Sequence, residues 1–173
     1  MWNRGRFVAM WLLTVSVGLA SQGRPAVPVW RVELRSSGGI TGRGVGGVAI
    51  QSDGAVSVIR LTTTRDGPGW EPTCTVRVPE RVTRVAEALA ATRPETWRER
   101  YPAPGSPGNC CDGFQWDLDV TRTTAGESPV RQRTSWTSDG DTSVPADLDQ
   151  LRAALVELWN TVKPSCADGI VDR

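Results

Sequence analysis

Histidine is absent from the 173 residues, and lysine occurs once, at Lys163. The missing imidazole removes Ser-His-Asp and Cys-His catalysis, histidine-ligated zinc, and the commonest general base near neutral pH. A serine–lysine pair would depend on Lys163, which stands at the end of a helical pattern next to Pro164. The composition therefore argues against an enzyme. An excess of one charge is also lacking, since 20 basic residues face 19 acidic ones. That balance gives no electrostatic reason for a nucleic-acid partner or an anionic membrane surface. A membrane-spanning run is missing too: residues 7–20 form an apolar stretch of about 14 residues, short of the roughly 20 that cross a bilayer.

That short run follows Arg4 and Arg6 and ends in the small residues Gly18-Leu19-Ala20, the pattern of a secretory signal peptide over residues 1–20. Cleavage after Ala20 removes two arginines and no acid, leaving 18 basic against 19 acidic residues and a net charge near −1. The expected product is secreted or periplasmic, with no membrane association after cleavage. Residues 21–28 read as a flexible lead-in, and 29–173 as one domain, a length that suffices for a real core.

Four cysteines, Cys74, Cys110, Cys111 and Cys166, all fall in the exported part, and an even set in an oxidising compartment reads as a disulfide framework. Three pairings are open. A bridge between the adjacent Cys110 and Cys111 would close a strained ring, so the favoured arrangement pairs one of them with Cys74 and the other with Cys166. No Cys-x-x-Cys spacing supports a metal site, and no cofactor is expected.

Alternating apolar residues predict strands over 29–35, 45–51 and 55–61, the last two joined by the hairpin signal Ser52-Asp53-Gly54, with a short addition at 75–78. Pro79 opens a helical pattern in which Val82, Val85, Ala86 and Leu89 share a face, ending near Arg93-Pro94. Residues 94–112 carry prolines, glycines, Trp97 and Tyr101 and read as a long loop, functional or tied down by the cysteines. Phe114, Trp116, Leu118 and Val120 give the clearest strand, and 130–136 returns antiparallel to it. Pro145 then opens a second helix, with Leu148, Leu151, Leu155, Leu158, Trp159 and Val162 as its apolar stripe and Lys163-Pro164 as its stop. The expected fold is α+β: an antiparallel sheet of four to five strands with two amphipathic helices packed on one face.

Two motifs invite chemistry and read better as structure. Gly42-Arg-Gly44-Val-Gly-Gly47 matches the dinucleotide fingerprint by letter, but a strand pattern follows it where that site needs a helix N-terminus. Asp117 and Asp119 share one face of a strand about 6.8 Å apart, yet they alternate with the apolar residues and read as solvent-facing. Asp139-Gly-Asp141 reads as a turn and lacks the ligand spacing of a calcium loop.

Arg35-Ser-Ser-Gly-Gly-Ile40 after an opening strand, the Ser52-Asp-Gly54 hairpin, Asp112-Gly-Phe-Gln-Trp-Asp-Leu118 and the Pro-led last helix resemble the emfourin family, small bacterial proteins that inhibit thermolysin-like metalloproteases. The resemblance touches about half of the exported chain. Ile40 stands where the family pattern has an aromatic residue, and the Cys110-Cys111 pair and the proline-rich loop are additions. The resemblance implies an inhibitor of a secreted metalloprotease that contacts its target through Ser37, Gly38, Gly39 and Ile40. The alternative reading is a cell-envelope structural or ligand-binding module, with Trp97 and Tyr101 forming the working surface of the 94–111 loop.

Overall fold

The computed structural model describes residues 29–38, 45–64, 67–101, 114–124, 126–138 and 144–167. The expected signal peptide and lead-in lie outside them, as do Gly39, Ile40, Cys110 and Cys111. The strands are β1 (Val29–Gly38), β2 (Gly46–Gln51), β3 (Ala55–Thr64), β4 (Gly67–Arg77), β5 (Arg100–Tyr101), β6 (Phe114–Thr123) and β7 (Val130–Ser138). The helices are α1 (Pro79–Ala90) and α2 (Ala146–Ala167). The fold is α+β, and the strands join one sheet in the order β4-β3-β2-β1-β6-β7-β5.

This sheet has seven strands where four to five were expected, and it is mixed, because β5 runs parallel to β7. The extra length has a physical source. The short addition expected at 75–78 is the end of β4; Gly67, Pro68, Gly69 and Pro72 mask its first part, but β4 is an edge strand, where a residue without an N–H is tolerated on the solvent side. A register shift in its pairing falls beside Val58 and Ile59. The two-residue β5 has no sequence pattern of its own; the chain reaches it from a single 3₁₀ turn at Pro94–Thr96.

The period-2 alternation decides which face is buried. In β1, Val32 and Leu34 are fully buried while Arg31, Glu33 and Arg35 are not, and in β6 Leu118 and Val120 point the same way. These residues share one core with Val48, Ile50 and Val56, with Val82, Val85 and Leu89 of α1, and with the Leu148, Leu151, Leu155 and Leu158 stripe of α2. Burying each large aliphatic side chain contributes about 1.5–3 kcal/mol, so this single layer contact carries most of the folding free energy. Gly47 is the point of closest approach on the other face: a Cβ there would lie 2.2 Å from the Leu34 carbonyl oxygen and 3.0 Å from the Ile59 side chain. It is one of the glycines of the false dinucleotide motif. It lies within strand β2, in keeping with the strand pattern that the sequence reading placed over 45–51.

The helix ends follow local chemistry. Pro79 occupies the first turn of α1, where its missing N–H leaves no bond unmade. At the other end the Leu89 carbonyl accepts from the Thr92 hydroxyl at 2.7 Å and from the Arg122 guanidinium at 2.6 Å, a cation at the negative end of the helix dipole. Helix α2 does not stop at Lys163-Pro164 as expected but continues through Pro164 to Ala167. The proline removes only one bond of the last turns, and a disulfide holds the turn beyond it.

That disulfide joins Cys74 of β4 to Cys166 of α2, with Cα atoms 5.6 Å apart. It corrects the expected pairing, in which each of these residues bonded to one of Cys110 and Cys111. The reason is architectural: Cys74 falls on the helix-covered face of the edge strand, directly under the end of α2, so the two sulfurs meet across the layers.

Candidate functional site

The register of β1 against β6 brings together the two segments that carry the family resemblance. Arg35 pairs with Asp117, Ser36 with Trp116, Ser37 with Gln115 and Gly38 with Phe114. On the next strand Phe114 pairs with Ser138 and Trp116 with Trp136. Gly38, Phe114 and Ser138 thus form one row across three neighbouring strand ends. Trp116 and Trp136 stack beneath it with ring centroids 6.5 Å apart. Ser36 is buried, Ser37 half-buried and Gly38 exposed. Gly38 has φ +98°, a conformation that favours glycine, so the strand end is shaped for a residue without a side chain. The structure therefore describes Ser37 and Gly38 of the expected contact turn, and Gly39 and Ile40 lie outside the described residues.

Trp97 and Tyr101 do not form a surface. Their exposures are 5% and 9%, and both belong to the core cluster. The Trp97 indole N–H donates to Asp147 Oδ2 at 3.1 Å, and the Tyr101 hydroxyl accepts from the Arg98 N–H at 3.1 Å. Asp147 also accepts from the Arg93 N–H at 3.2 Å. Partial burial works against its charge, but these donors outweigh that and hold its carboxyl below the ordinary value. The segment from Arg93 to Tyr101 is thus tied onto the start of α2. The reading in which these aromatics make a working surface is corrected: both side chains are buried within the core cluster.

The helix-free face of the sheet holds what the sequence reading missed. Asp119 was expected in solvent but is only 6% exposed. Its carboxylate accepts from Arg131 Nε at 2.8 and 2.9 Å, from Arg133 Nε at 2.9 Å, and also from Arg131 Nη2. Burial disfavours its charge, yet the two guanidiniums outweigh that and hold its pKa below the usual carboxylate value. One strand over, Glu33 faces Arg31 at 3.1 Å and Arg35 at 3.6 Å. The Arg35 Nε is buried without a hydrogen-bond partner. A signal for this network was present: Asp119 on one strand of a hairpin lies opposite Arg133 and diagonal to Arg131 on the other, on the same side of the pleat.

Among the described residues no group of three or more His, Cys, Asp or Glu side chains gathers as a metal site would, and no helix is long and apolar enough to cross a membrane. No protein-family model matches the chain, and no curated protein matches its sequence.

Proposed function

We propose that the chain is an exported binding protein that inhibits a thermolysin-like metalloprotease through the strand end at Ser37 and Gly38. The observation that carries this reading is the β1–β6 register, by which Arg35–Gly38 and Phe114–Leu118, the two stretches similar to the emfourin pattern, lie side by side rather than at opposite ends of the molecule. The strand end rests on a seven-stranded sheet, so little ordering entropy is left to lose when a target binds. An exposed glycine at the tip lets the backbone approach a cleft closely. The disulfide between Cys74 and Cys166 suits an oxidising compartment, in keeping with the secretory pattern of residues 1–20.

The test is a titration of purified residues 21–173, disulfides intact, against a thermolysin-like protease, following hydrolysis of a peptide substrate. Inhibition with a one-to-one end point is the expected result. Full residual activity with the titrant uncleaved would overturn the reading. In the positive case Gly38→Val weakens inhibition by at least about tenfold, the equivalent of one or two lost close contacts, while cooperative unfolding is retained.

A further inference from the structure

The charged network on the helix-free face is layered by depth. The carboxylates lie at the floor, with side-chain exposures of 7% for Asp119 and 20% for Glu33, and the arginines stand at the rim, at 54% for Arg31, 56% for Arg131 and 62% for Arg133. The pairing explains how. Arg31 sits opposite Thr121, and Thr121 opposite Arg131, so two arginines flank one threonine in a single cross-strand row. In the next row Glu33 sits opposite Asp119, and Asp119 opposite Arg133. Two strand spacings separate the Cα atoms of Arg31 and Arg131 by about 10 Å. Between them lies a cleft of about 240 Å³ lined by Arg31, Glu33, Asp119, Thr121 and Arg131.

We propose that this cleft is a docking site for carboxylate side chains of an acidic segment of a partner protein. Each floor carboxylate already faces its arginines, so Asp119 and Glu33 act as positioning residues that hold the guanidinium heads in place. The outward N–H groups remain available, and a planar guanidinium fork matches a carboxylate in two parallel bonds. Holding the arginines beforehand removes part of the side-chain ordering that binding otherwise costs. The Thr121 hydroxyl between them can donate to the incoming oxygen. The whole set of charged groups on this side of β1, β6 and β7 comprises Arg31, Arg35, Arg131 and Arg133 with Glu33, Asp117 and Asp119, so one positive charge is left over. That suits a few carboxylates spaced along a peptide. A nucleic-acid backbone gains its affinity from neutralising many phosphates over a basic surface, which a face with one excess positive charge does not offer, whereas a carboxylate matches the guanidinium fork by geometry. None of these residues belongs to the Ser37–Gly38 strand end, so this proposal and the inhibitor reading stand or fall separately.

The experiment measures binding of a fluorescein-labelled deca-glutamate peptide to residues 21–173 by anisotropy in low salt. A deca-glutamine peptide and a ten-nucleotide oligothymidylate serve as comparisons. Saturable binding of the glutamate peptide alone is expected, weakened at least about tenfold in Arg31→Gln/Arg131→Gln, which removes two charge-assisted contacts. Arg84→Gln, on the helical layer, is expected to bind like the parent. Arg31→Lys/Arg131→Lys keeps the charge and loses the fork, and is expected to bind more weakly than the parent. Absence of glutamate binding, parental affinity in the glutamine double variant, parental affinity in the lysine variant, or equally tight oligothymidylate binding would each overturn the proposal. Circular dichroism confirms folding of each variant, as the replaced side chains are more than half exposed.

Discussion

Replacing both Cys74 and Cys166 by serine is expected to lower stability by about 4–5 kcal/mol, a magnitude that follows from the loop the bridge closes. The two residues are 92 positions apart. Chain-entropy bookkeeping for a loop of that length gives close to the upper end of what single disulfides supply, before any strain is subtracted. The bridge also has a local task, because it links the edge strand β4 to the last turn of α2, beyond the point where Pro164 interrupts the helix hydrogen bonds. For a domain of this size the loss corresponds to a fall in Tm of roughly 10–18 °C. The measurement is urea unfolding of residues 21–173 and of Cys74→Ser/Cys166→Ser, followed by tryptophan fluorescence and far-ultraviolet circular dichroism together. Comparison of the two proteins, rather than addition of reductant, keeps Cys110 and Cys111 unchanged between samples. Coincident transitions with the double variant less stable by several kcal/mol support the reasoning. A loss below about 1 kcal/mol would refute it, since that would place β4 and the end of α2 together in the unfolded chain or make the link irrelevant to the cooperative unit.

Two further outcomes test other parts of the structure. Asp119→Asn is expected to cost about 2 kcal/mol at pH 7, toward the low end for charge-assisted bonds because Arg131 and Arg133 remain largely solvated. Since the folded pKa of Asp119 is lowered, its stabilisation is present above the unfolded value near 4 and is lost as pH falls through that range toward the folded value, so the gap between parent and variant should narrow at pH 3; a gap unchanged between pH 7 and pH 3 in urea unfolding would contradict this. Gly47→Ala is expected to cost about 3 kcal/mol or more, because a Cβ 2.2 Å from the Leu34 carbonyl oxygen forces β1 and β2 apart; the unfolding midpoint reports it, and a neutral effect would show that the strands relax freely.

Among the described residues, seven of the nine strands and helices, and the end of β4 at 75–77, were legible because their signals are local. Alternation in β1, β2, β3, β6 and β7, and the apolar stripes of α1 and α2, each follow from which side of one element meets the core. What stayed hidden depends on neighbours. The first part of β4, ahead of the strand expected at 75–78, looks like a loop until its place at the sheet edge shows that Pro68 and Pro72 deprive it of nothing it needs. Strand β5 exists because residues 93–101 are held to α2 by the Trp97–Asp147 bond and to β7 by the Glu99 carbonyl, which accepts from the Ser135 N–H at 2.9 Å. The same neighbourhood turns Trp97 and Tyr101 from candidate contacts into core residues. Cysteine pairing is equally non-local, since no spacing in sequence says that residue 74 lies beneath the end of α2.

Asp119 is the residue whose identity folding alone does not explain. A partly buried carboxylate loses hydration that an apolar or threonine side chain at the same place would not, and exchanging a buried ion pair for apolar groups of like volume is often neutral or stabilising. The neighbouring face positions bear this out, because Ala49 and Ile59 are 4% and 5% exposed on the same side of the sheet and need no partner. What the carboxylate does, and valine would not, is fix two guanidinium heads that remain more than half in water. The gain is therefore on the surface rather than in the core: a domain with nearly balanced charge concentrates cation density at one rim by sinking the matching acids beneath it. On the proposed docking role, contacts to an acidic partner fall to Arg31 and Arg131 rather than to the acids that hold the network together.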